Sequence, residues 1–298
     1  MLTLGRLSLA AVLAAYAEVM LGSWTRINGA GMTCPDYPLC RGAVVPSMGG
    51  GTVWEWTHRL LAALLSILVV SVLVKAWQLR KAARFTGPAG IVIGILFAFQ
   101  VFLGAATVHL SNSPASVVWH WGTAMAFVAS LAVMAILALA DARQGAQRPQ
   151  TALMAWTLGF TTLIAYVTMC VGAYVSSSGA GLACLDIPNC AGHVVVYTPG
   201  QFVQMLHRFI AAACLLSAAA AFALAFALRA ASRVRIAVSV GFALVLLQVL
   251  LGLLNVALRL PIDLREAHAA NAALVFLTFV TATAFSLIGE RFEYARAR

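Results

Sequence analysis

The sequence predicts an all-α integral membrane protein, with eight transmembrane helices arranged as two tandem four-helix bundles. Three observations predict it. The 298 residues are 62% hydrophobic and only 9% charged, with a mean hydropathy of +0.94, whereas a soluble domain carries about a quarter charged residues. Eight apolar runs reach the roughly 17–25 residues needed to cross a bilayer. The second half of the chain also repeats the first.

The runs fall at residues 7–22, 58–77, 90–108 and 118–140, then at 152–175, 203–228, 236–257 and 267–288. Their short connections leave no room for a separate soluble domain. Arg6, the first run and Ala15-Tyr16-Ala17 have the outline of a cleavable signal peptide. The run continues through Val19-Met20-Leu21 and belongs to the repeat, so the segment reads as an uncleaved first helix.

The formal charge is +10, and its placement sets the expected topology. Arg6, Lys75, Arg80, Lys81, Arg84, Arg143, Arg148, Arg229, Arg233, Arg235, Arg291, Arg296 and Arg298 fall on one side. Arg26, Arg41, Arg59, Arg208, Arg259 and Arg265 fall on the other. The positive-inside rule then puts both termini in the cytoplasm. No basic patch with interleaved aromatics suggests a nucleic-acid partner; the expected surroundings are membrane lipid.

The repeat is explicit. Gly22 to Cys34 aligns with Gly172 to Cys184, and the two Gly-Ala-Gly triplets, Gly29 to Gly31 and Gly179 to Gly181, coincide. Cys40 falls on Cys190, His58 on His207, Gln100 on Gln248, Gly104 on Gly252 and His120 on His268. A tandem duplication of a four-helix unit follows, with halves at 1–145 and 146–298. Four spans return the chain to its starting side, so the halves should be related by a pseudo-two-fold axis along the membrane normal.

Within each half the outer loop after the first helix carries two cysteines, Cys34 with Cys40 and Cys184 with Cys190. Both pairs face the oxidising side, where disulfides persist. A structural staple, stabilising by about 2–3 kcal/mol in the chain-entropy picture, is favoured over a redox-active pair. Cys170 and Cys214 lie inside apolar runs and read as small buried hydrophobes.

Trp54-Glu55-Trp56-Thr57-His58-Arg59 opens the second run, and Gln204-Met205-Leu206-His207-Arg208 opens the sixth. His120 and His268 open the fourth and eighth. Ionisable groups at such depth are costly unless they bind something. No cysteine or carboxylate completes a tetrahedral zinc site within either histidine pair. Two imidazoles from facing helices suit axial ligation of a haem iron; purely structural histidines are the plainer reading. His109 and His193 have no partner in the other half. Arg59 and Arg208 suit either haem carboxylates or lipid headgroups. Trp54, Trp56, Trp119 and Trp121 read first as an interfacial aromatic belt.

Taken together, the eight helices, Glu55-x-x-His58-Arg59, His120, His207-Arg208, His268 and the two cysteine pairs resemble the haem A synthase family, bacterial and mitochondrial. The resemblance covers nearly the whole chain. It implies an oxidoreductase of haem biosynthesis in the bacterial plasma membrane, oxidising the C8 methyl of haem O to the formyl group of haem A. It implies substrate haem at His58, His120 and Arg59, a haem b cofactor at His207, His268 and Arg208, and Glu55 as the catalytic carboxylate. Haem O would come from haem O synthase and electrons from an unidentified donor; self-association is left open. Two rival expectations use the same residues. One is a non-catalytic di-haem b electron carrier; the other is a membrane thiol-disulfide oxidoreductase, disfavoured because Cys-x5-Cys is unlike the usual Cys-x-x-Cys.

Overall fold

The computed structural model describes residues 1–143, 150–190, 192 and 196–296. Arg148, His193 and Arg298, all named above, lie outside the described residues. The elements are α1 (Leu2–Ile27), α2 (Thr52–Gln78), α3 (Thr86–His109), α4 (Pro114–Arg143), α5 (Ala152–Ser177), α6 (Pro199–Ala227), α7 (Ser232–Ala257) and α8 (Ile262–Arg296). A single 3-10 turn, Ala180–Leu182, follows α5. All eight helices are long and apolar enough to cross a membrane, and no strand occurs among the described residues. At about 1.5 Å per residue even the shortest of them, α3, exceeds a hydrocarbon core of about 30 Å. The protein is a multi-pass membrane protein.

The helices outrun the apolar runs at their ends, because polar residues at an interface can still be helical. The extension matters most for α2. It begins at Thr52 rather than at the apolar boundary, so Glu55, His58 and Arg59 all stand on one helix. The start of α6 is fixed more firmly: Thr198 and Gln201 form a capping box, with Pro199 in the first turn.

The chain divides into two compact units, Met1–Ala142 and Arg143–Arg298. In the first, α1 packs on α2 and α2 on α3. There α4 meets α1 where Gly5 lies against Leu139, and it meets α3 through the tilted ring pair Phe97–Phe127. Leu4, Val69, Val72, Ile93, Met125 and Met134 fill its core. In the second unit α5 packs on α6 and α8, while α7 packs on α6 and α8. Phe279, Leu158, Met154 and Val234 are buried at its centre among a row of alanines. Outward faces are apolar too: Ile67, Phe102, Trp156 and Leu216 are among the large exposed side chains, as lipid contact requires.

Helices in hydrocarbon gain little from apolar burial against each other, so small residues and interhelical hydrogen bonds decide where they touch. The second unit shows both. Thr161 meets Ser217 at 2.6 Å and Thr162 meets Thr283 at 2.9 Å. Asn271 donates to the Leu244 carbonyl and to Gln248 Oε1, joining α8 to α7. Gly241 of α7 abuts the Phe279 ring, where an added Cβ would lie 3.0 Å from Cζ. Gly159 on α5 has no neighbour within 4 Å of such a Cβ.

Gly241→Ala should therefore cost about 1–3 kcal/mol through overpacking, seen as a lower thermal transition in detergent. Gly159→Ala should be neutral or stabilising, by up to about 1 kcal/mol. Equal effects of the two would contradict this packing.

Candidate functional site: paired imidazoles beneath disulfide loops

Each disulfide loop is built the same way. The first glycine of each Gly-Ala-Gly triplet turns the chain out of its helix in the left-handed region, Gly29 at φ +71° and Gly179 at φ +72°, where only glycine is unstrained. The cysteines then close, Cys34 to Cys40 and Cys184 to Cys190, both as disulfides.

What holds these loops was not legible in the sequence. Glu55, 4% exposed, accepts the Thr33 hydroxyl and the Cys34 N–H on Oε2, each at 2.9 Å. Its Oε1 pairs with Arg59 Nη2 at 2.7 Å. The same guanidinium donates to the carbonyls of Cys34, Asp36 and Leu39. In the second unit Gln204 accepts from Cys184 N–H and donates to the Gly181 carbonyl. Arg208 donates to the carbonyls of Cys184, Asp186 and Asn189. Arg59 and Arg208 thus spend their Nη groups on loop backbone, a third role beside the two expected from the sequence. Asp36 finishes the first loop by accepting from the N–H groups of Arg41 and Gly42. Those bonds, Gly42's foremost, hold its carboxyl below the ordinary 3.8. The tie is therefore complete at neutral pH and is released only as pH falls through that lowered value.

Beneath the loops lie the four histidines. Each imidazole rests against a glycine of the neighbouring helix. A Cβ would approach His58 Cε1 to 2.8 Å at Gly22, and His207 Cε1 to 2.9 Å at Gly172. At Gly104 and Gly252 it would come within 3.3 Å of Cε1 of His120 and His268. Within each unit the two rings are near enough to interact electrostatically, His58 with His120 and His207 with His268. Nδ1 of each of the four histidines is buried without a hydrogen-bond partner, as is the Oε1 atom of Gln100. Gln100 Nε2 lies 3.4 Å from His120 Nε2, whereas Gln248 is tied down by Asn271 and by the His268 carbonyl.

The most consequential residue missed in the sequence is Glu18. It lies 7% exposed in the middle of α1, and its Oε1 is 2.7 Å from His58 Nδ1. The available signal was a carboxylate inside an apolar run, at the position where the second half has Thr168 (168 − 18 = 150, as 172 − 22 = 150 for the two glycines). Among the tryptophans, Trp54 and Trp119 are exposed, as belt residues should be. Trp121 Nε1, and Trp24 Nε1 beside Trp54, are buried without an acceptor. His109 is exposed at the end of α3. Of the free cysteines Cys214 is buried and Cys170 partly so.

Among the described residues no three His, Cys, Asp or Glu side chains converge as a metal cage. The donor set still fits a metal that brings its own equatorial ligands, since two imidazoles per unit suffice for axial positions. The unpartnered indole N–H groups near the outer ends of α1 and α4 suit an anionic ligand edge. These features define a multi-pass membrane protein in which each unit carries the same arrangement of two histidines seated on glycines beneath a disulfide-closed loop.

Comparison with known proteins narrows the class. A family model described as cytochrome oxidase assembly protein (COX15-CtaA) matches residues 50–280. The heme A synthase of Bacillus licheniformis is 29% identical over 267 residues, 86% of each chain. That of Shouchella clausii is 31% identical over 220 residues, 72% of each chain. That of Bacillus pumilus is 26% identical over 284 residues, covering 92% of this chain and 91% of the relative. The chain belongs to the haem A synthase family, and so to the membrane enzymes of haem A formation.

Asp36→Ala should leave the Arg41 and Gly42 amides unpaired and loosen the first loop alone. Mild reductant followed by thiol trapping should then open Cys34–Cys40 several-fold faster, with Cys184–Cys190 unchanged. Equal rates at both bridges would show that the Asp36 tie does not hold the loop.

Proposed function

We propose that this oxidoreductase converts the C8 methyl of haem O to the formyl group of haem A, through an alcohol and then an aldehyde hydrate that loses water. Substrate haem O is held in the first unit by His58 and His120, and a haem b cofactor in the second by His207 and His268. Family membership supports the reaction; the imidazole pairs, each backed by glycine, support the placement. Bound haem b supplies the electron transfer that methyl oxidation needs and no side chain here can provide.

One observation carries the unequal roles. Glu55 and Gln204 occupy the same place in the same loop clamp, yet only Glu55 is a carboxylate. Gln204 shows that an amide suffices to hold a loop of this kind, so the charge at Glu55 serves something besides architecture. We assign it to proton transfer or charge stabilisation beside the substrate, within the field of Arg59. Arg59 and Arg208 lend positive charge toward the carboxylate edge of each tetrapyrrole while keeping their loop carbonyls. Gln100, with a free buried oxygen next to His120, faces the first site as a polar contact that its counterpart in the second unit does not offer.

The placement of Lys and Arg supports a plasma-membrane protein with both termini cytoplasmic and the disulfide loops on the opposite face. Haem O synthase, itself a producer of an apolar product, is the expected source of substrate, and a membrane-borne reductant or oxidant the expected electron partner.

Glu55→Gln makes the first clamp resemble the second. It should leave folding, the Cys34–Cys40 bridge and haem content intact while lowering haem A formation at least 100-fold, the scale of lost general acid–base help. Porphyrins extracted from protein made with a haem O source and identified by mass spectrometry provide the readout. Full conversion by the variant would remove Glu55 from the chemistry. Two haems with no conversion in the unsubstituted protein would favour the di-haem electron carrier.

A further inference from the structure

Glu18 is the buried ionisable group that the reading above leaves without a task. A carboxylate in the middle of a membrane helix is retained only where a partner repays its desolvation. Its partner is Nδ1 of His58, at 2.7 Å. Gly22, one turn further along α1, removes the side chain that would otherwise hold the ring away, since a Cβ there would lie 2.8 Å from Cε1. One face of α1 therefore provides both the floor and the facing carboxylate for this imidazole. The second unit keeps the floor, Gly172 against His207, but not the acid. Thr168 stands in place of Glu18, and its backbone is the polar neighbour of His207.

We propose that Glu18 is a positioning residue for the first haem site. With its carboxylate 2.7 Å from Nδ1 of His58, it favours the tautomer that keeps the proton on Nδ1 and leaves the Nε2 lone pair for iron. It also makes His58 the most strongly donating of the four imidazoles, as carboxylate–histidine–metal arrangements do. Because Thr168 cannot do the same for His207, the two sites differ in reduction potential by construction, with oxidised iron favoured in the first. The inference rests on the placement of the two tetrapyrroles proposed above, and concerns how the protein tells them apart. Glu55 is already committed to Thr33, Cys34 and Arg59, so Glu18 is the carboxylate in contact with the ligand.

The test is an optical redox titration of the purified full-length holoprotein and its Glu18→Gln variant. Glutamine keeps the shape and an acceptor oxygen but not the charge. One of the two midpoints should rise by at least tenfold in the one-electron equilibrium, 59 mV, with the other unmoved; Glu18→Asp should recover part of the shift, and Thr168→Ala should move neither midpoint upward. If Glu18→Gln instead loses one haem selectively and Glu18→Asp restores it, the positioning role stands. Two haems bound with both midpoints unmoved in Glu18→Gln, both shifted together, or both haems lost, overturn it. An unsubstituted protein that binds no haem fails the reading of the previous section instead, and this inference falls with it.

Discussion

A histidine ring seated between membrane helices needs room on the facing helix; here a glycine supplies it, and this contact sets the rest of the structure. It occurs four times, at Gly22 with His58, Gly104 with His120, Gly172 with His207 and Gly252 with His268. Each instance fixes the approach of two consecutive helices at their outer ends. In lipid, where helices gain little from hiding apolar surface from each other, such fitted contacts largely determine which faces meet. A methyl group added at Gly22 or Gly172 would push an imidazole out of line, and one at Gly104 or Gly252 would crowd it. The contacts therefore tie the site to the packing: the bundle cannot shift without moving the histidines.

Much of this was visible in the sequence, and what was not has a physical reason. The eight spans follow from hydropathy because a bilayer demands long apolar runs, and the duplication from residues recurring at a near-constant offset. The aligned glycines were visible as well, though not their purpose: spacing along a chain does not say which ring lies across the gap. Glu18 was hidden differently, as a lone carboxylate in a long apolar run with no motif around it. The work of Arg59 and Arg208 was hidden most deeply. Their partners are backbone carbonyls some twenty residues upstream, and every residue has a carbonyl.

The two halves share their loops, histidines and seating glycines, and among their differences are several polar side chains at matching positions. Glu55 against Gln204, and Glu18 against Thr168, give the first unit two acids where the second has none. Gln100 has a buried oxygen without a partner, whereas Gln248 is bound by Asn271, where the first half has Thr123. These differences give the first unit two carboxylates near His58 that the second unit lacks at the matching positions, and one buried amide oxygen without a partner. The second unit in turn carries interhelical polar bonds, Thr161–Ser217, Thr162–Thr283 and those of Asn271.

The latch formed by each arginine grips main-chain oxygens and ignores what the loop residues carry. Pro-Asp-Tyr-Pro-Leu in one loop and Leu-Asp-Ile-Pro-Asn in the other are gripped alike. Each cover can therefore exchange its outward-facing residues, and with them its choice of visitors at the membrane surface, while the fastening beneath stays as it is.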